Sequence, residues 1–131
     1  MITFEETLPT IKELFIEKLP LYIEENNKKK NDGIILQPFL NKHLLENCQK
    51  LPCFQFELQE AEYKEKDRIV ENTVFNFSLE INTKSSKELE IIEICRYAEA
   101  IDNLINENNQ SFLDFRITKI KDNKILFRVL V

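Results

Sequence analysis

The chain has 131 residues, enough for one domain with its own core. It is 43% hydrophobic and 31% charged, with a net charge of −5. This balance excludes a disordered chain and argues against broad binding to duplex DNA, where neutralising phosphates dominates affinity.

Residues 4–26 carry Leu8, Ile11, Phe15, Leu19 and Tyr22 at steps of three and four, with Glu13, Glu17 and Glu24 off that stripe. The spacing predicts an amphipathic helix. Thr10 with Glu13 matches a capping box, and Pro9 suits a first turn. Pro20 removes one backbone donor, so a kink near Leu19 is expected, or two shorter helices. Residues 26–33 are polar, contain Lys28-Lys29-Lys30 and end at the single glycine, Gly33; they read as a loop. Ile34, Ile35 and Leu36 fit a short strand. After Pro38, Leu40, Leu44, Cys48 and Leu51 keep roughly helical spacing, which predicts a short helix over 38–49.

From residue 53 the period becomes two. Phe54, Phe56 and Leu58 alternate with Gln55, Glu57 and Gln59, as in a half-buried strand. Residues 60–72 (EAEYKEKDRIVEN) are nearly all polar and read as a long excursion. Phe75, Phe77, Leu79 and Ile81 then alternate with Asn76, Ser78, Glu80 and Asn82. The two strands can pair antiparallel with four aromatic rings on one face. Ser85 and Glu88 match a capping box ahead of a second helix. Its stripe is Ile91, Ile94, Ala98, Ile101 and Ile105, widened by Leu89, Ile92, Cys95 and Leu104; NENNQ ends it. Leu113, Phe115 and Ile117 form a third strand, and Lys121-Asp122-Asn123 a turn. The last strand places Ile125, Phe127, Val129 and Val131 on one face, and Leu126 and Leu130 beside Lys124 and Arg128 on the other. A strand apolar on both faces is usually buried on both, so a further layer or a neighbouring subunit is expected over it. The sum is one α+β domain over 1–131: an antiparallel sheet of about four strands, with an N-terminal helix and a second helix packed on one face.

Scarce residues restrict the chemistry. One glycine cannot build a phosphate-cradling loop. One histidine, His43, excludes multi-histidine metal sites within the chain. No G-x-S-x-G elbow occurs. Cys48, Cys53 and Cys95 form no C-x-x-C pair, and their odd number speaks for a reducing compartment. No apolar run nears the roughly 18 residues of a membrane span, and residues 1–10 lack the basic cluster of a signal peptide. The expectation is a soluble, cytoplasmic protein without cofactor or metal, bound to neither membrane nor duplex nucleic acid.

Four features invite a site, and most have a plainer explanation. His43 and Cys48 stand five residues apart, which on a helix points them about 140° apart, wrong for a nucleophile pair. Glu57 and Glu80 share a polar sheet face, which fits solvent better than a divalent ion. The ten phenylalanines share registers with Leu and Ile, which fits core packing better than base stacking. The excursion with Tyr63, Lys64, Lys66 and Arg68 is the strongest candidate, because long loops inside compact domains tend to be functional. Leu126 and Leu130 are the companion contact residues.

In the order and size of its elements the chain resembles the tail-terminator, or tail-completion, proteins of tailed bacteriophages. The likeness runs through the N-terminal helix, the strand PCFQFEL, the polar excursion, VFNFSLEI, the helix ELEIIEICRYAEAIDNLI, and the closing pair LDFRITKI and ILFRVLV. Residues 34–50 depart from it. The resemblance implies a non-enzymatic structural protein that self-associates in a ring, often hexameric, which caps the tail tube and meets the head connector. It would then be a virion component. The alternative is a small intracellular adaptor domain that binds another protein.

Overall fold

The N-terminal stripe builds two helices, α1 (Phe4–Glu17) and α2 (Leu19–Lys30). The computed structural model that defines them describes residues 4–37, 53–83 and 85–131. Pro20 lacks the N–H that would continue the ladder, and the break falls two residues ahead of it, at Lys18. Pro9 lies inside α1, which already runs from Phe4, so Thr10 and Glu13 do not cap a helix start. The polar segment 26–33 is also not a loop from its beginning. Asn26 is buried, and the three lysines form the last turn of α2, where positive charge suits the helix dipole. Asn31, left-handed at φ +42, ends the helix, and its N–H donates to the Asn27 carbonyl at 3.1 Å.

Residues 34–36 do not form a strand. Their buried member, Leu36, is held by a side chain instead: Asn27 Oδ1 accepts from its N–H at 2.9 Å and Nδ2 donates to its carbonyl at 3.1 Å. The helix expected over 38–49, with His43 and Cys48, lies outside the described residues.

Four strands follow: β1 (Cys53–Lys66), β2 (Ile69–Asn82), β3 (Asp114–Lys121) and β4 (Lys124–Leu130). Helix α3 (Lys87–Glu107) connects β2 to β3. The sheet order is β1-β2-β4-β3 with every neighbour antiparallel, so the chain is α+β as its alternation predicts.

The excursion over 60–72 is not a loop. It continues β1 and β2 to a two-residue turn at Asp67 and Arg68, whose φ values of +54 and +67 match the turn that suits a twisted hairpin. Shifts in register after Leu58 and after Lys64 interrupt the alternation of side chains. A ribbon with water on both faces has no apolar side to repeat, so its sequence resembles a loop.

The core lies between one sheet face and the helices. Phe127, central on β4, stacks on Phe56 at 6.1 Å between ring centres and meets Phe15 of α1 edge-on at 5.8 Å. Phe75 and Phe77 are buried beside them, as their alternation predicts. Tyr97 of α3 packs edge-on against Phe54 at 5.5 Å and donates its hydroxyl to the Gln37 carbonyl at 2.8 Å; burial pushes that phenol's pKa up.

Helix α3 starts one residue later than expected. Ser86, not Ser85, is the cap, accepting from the Leu89 N–H at 3.5 Å, while Ser85 reaches Glu93 at 2.6 Å. Its buried stripe is Ile94, Tyr97, Ala98, Ile101, Leu104 and Ile105. Ile91 is 66% exposed and Cys95 is also exposed, contrary to the core positions their spacing suggested. Burial on α3 begins only at Ile94, so Ile91 on its first turns faces water, while Cys95 points about 100° away from Ile94 and off the buried stripe. On β4, Ile125, Phe127 and Val129 are buried, while Leu126 and Leu130 are half-buried. β4 lies inside the sheet, between β2 and β3. No described helix is long and apolar enough to cross a membrane.

Candidate functional site

The hairpin outgrows its sheet. β2 pairs with β4 only from Val74 to Glu80, and Thr73 adds a mutual pair of backbone bonds with Val131, each 3.0 Å. Residues 64–72 then have only each other as described sheet partners, with Lys64 opposite Asn72 and Lys66 opposite Ile69. Tyr63, 58% exposed, marks the root opposite Thr73, and Arg68 stands at the turn. Ile69, near the tip, is 67% exposed. The fold thus gathers Tyr63, Lys64, Lys66 and Arg68 into one arm.

Leu126 and Leu130 belong elsewhere. They lie at the middle of the sheet face away from the helices, opposite Ser78 and Val74 respectively. Tyr63 alternates to the helix-side face, so these residues do not form one patch.

That outer face carries charges arranged by strand. β1 presents Glu57, Glu60 and Glu62 on it, opposite Ser78, Asn76 and Val74. β3 presents Arg116, Lys119 and Lys121, opposite Arg128, Leu126 and Lys124. All six are exposed. Reading two-residue periodicity misses them as a group, because both edge strands slip register here, after Leu58 and after Ile117. The signal available in the sequence is only the local excess of each sign. Glu57 and Glu80 do share this face, but Glu80 stands opposite Gln55 and Lys124 rather than beside a second carboxylate.

A separate groove of about 580 Å³ runs between α2 and α3, lined by Tyr22, Glu25, Asn26, Lys28, Glu99 and Asn103 among others. Asn26 Nδ2 donates to Glu99 at 3.1 Å, and that bond together with Lys30 at 3.3 Å holds the Glu99 carboxyl below its usual range. Tyr22 donates to Glu107, and this bond together with burial raises its phenol. These contacts tie the two helices together. They supply no nucleophile with an adjacent base. Among the described residues no group of three or more His, Cys, Asp or Glu side chains is placed to hold a metal ion.

No protein-family model matches the chain, and no curated protein matches it in sequence.

Proposed function

We propose that this chain is a non-enzymatic structural assembly protein of the kind its element order resembles, the tail terminators of tailed bacteriophages. Copies associate in a ring that caps a tail tube and presents a surface to the head connector. One observation carries this reading: the two-stranded arm over 64–72, with Ile69 exposed near its tip and Tyr63 at its root. An isolated ribbon in water is only marginally stable, so an arm of this length is best supported by a neighbour that covers it. A contact that joins unlike surfaces of identical chains and closes on itself makes a ring. Lys64, Lys66, Arg68 and Tyr63 are the contact residues on the arm; Leu126 and Leu130 are those on the sheet.

The test is light scattering of the full chain over a wide concentration range, beside a variant in which residues 65–70 are replaced by Asn-Gly. The full chain is expected to associate, and the shortened variant to remain monomeric with an unchanged melting temperature. A full chain that stays monomeric and instead captures a different protein through the arm would replace the ring with the adaptor role.

A further inference from the structure

We infer that copies of this chain join edge to edge, with the acidic β1 of one copy pairing antiparallel with the basic β3 of the next. The inference rests on the self-association reading above and specifies its surface. Among the described residues β1 and β3 are the two edges of the sheet. Edge strands offer unpaired backbone groups to another strand.

The topology favours a continuous sheet. Four strands alternate in direction across the order β1-β2-β4-β3, so the two edges run opposite ways. A copy displaced along the sheet, with the same face outward, therefore lays its β3 antiparallel to β1. The alternation continues across the junction with the helices still on one side.

Charge selects this junction over the symmetrical ones. A β1–β1 contact sets Glu57, Glu60 and Glu62 against their own copies, and a β3–β3 contact sets Arg116, Lys119 and Lys121 against theirs. Like charges directly opposite each other destabilise a strand pair, and opposite charges stabilise it. Only the unlike junction pairs them, and that junction repeats head to tail, as ring closure requires.

Register can be read across the strands. Glu57 shares a row with Ser78, Leu126 and Lys119, and Glu60 shares one with Asn76, Arg128 and Arg116. Without stagger, the junction makes those two pairs. With a stagger of one row, about 7 Å, it makes three: Glu57 with Lys121, Glu60 with Lys119 and Glu62 with Arg116. Closing a twisted sheet into a barrel itself demands a stagger. Lys119 and Lys121 have no ion-pair partner among the described residues, while Arg116 reaches Asp114 of its own strand at 3.4 Å. Charges that merely guard edges against pairing would serve best with one sign on both; opposite signs leave the head-to-tail approach open.

The experiment uses two triple variants of the full chain. One carries E57K, E60K and E62K; the other carries R116E, K119E and K121E. The wild type at low ionic strength is expected to form a closed oligomer by sedimentation velocity, and each variant alone to lose it. Mixing the two variants should restore it, since each then offers the edge the other lacks. An oligomer that persists in either variant overturns the edge junction while leaving self-association standing. A wild type that stays monomeric at every concentration and salt overturns both. Should a variant fail to fold, E60C with K119C, in a chain whose native cysteines are serine, replaces it. A short bismaleimide then yields a ladder of linked chains if the edges meet, and the absence of a ladder overturns the junction.

Discussion

Asn27 holds Leu36 by both of its backbone polar groups, donating to the carbonyl at 3.1 Å and accepting from the N–H at 2.9 Å. The side-chain amide stands where a neighbouring strand would be, and it pins the chain leaving α2 so that Leu36 enters the core. Asn27→Ala strands both groups of a buried residue. It should lower unfolding free energy by about 1–3 kcal/mol in urea titrations. Asn27→Asp, which keeps an acceptor for the N–H, should lose less.

Arg96 of α3 grips Asp32 with two bonds, 2.9 and 2.5 Å, and this holds the Asp32 carboxyl at about 2. A carboxyl lowered on folding stabilises the native state above its unfolded pKa of about 3.9. That contribution is lost as pH falls through about 2. The melting temperature should decline between those values, and Asp32→Asn should flatten that part of the curve. An unchanged acid limb in Asp32→Asn would show that the pair adds nothing to folding.

Thr73 is fully buried, and its hydroxyl has no hydrogen-bond partner among the described residues. Valine has the same shape without the polar atom and suits a strand. Thr73→Val should raise stability by about 1 kcal/mol. Chemical denaturation that shows a loss instead would reveal a bond to the hydroxyl.

Arg68 adopts φ +67 at the arm's turn, where a side chain is strained and glycine is not. Arg68→Gly should protect the amides of 64–72 against hydrogen exchange several-fold while leaving the global melting temperature within a degree or so. Equal protection in both proteins would mean that the turn does not limit the arm.

Phe127 touches rings from α1, β1 and β3, so Phe127→Ala should cost about 3–5 kcal/mol. Ile69→Ser, at an exposed position on the arm, should stay within about 0.5 kcal/mol in the monomer. Calorimetry on both separates the core from the exposed arm.

Much of this was legible before any coordinates. Phe54, Phe75, Phe77, Phe127 and Val129 announce their burial by alternating with polar neighbours, because a strand with one dry face must repeat every two residues. Pro20 announces the break between α1 and α2 because its missing donor acts wherever it stands. The exposure of Ile91 was not legible, since helical period marks a direction and not how far the packed layer reaches beneath it, and the width of the buried stripe that leaves Cys95 outside is set by what packs on the helix.

Local chemistry therefore determined the α+β class and the inward side of β4 and of the alternating stretches of β1 and β2, since burial writes its period into neighbouring residues. Three features waited for the tertiary structure: the 64–72 arm, the three register slips, and the gathering of opposite charges from β1 and β3 on one sheet face. Each depends on which residues the strands set opposite one another. Backbone hydrogen bonds impose that pairing without asking for any particular side chain.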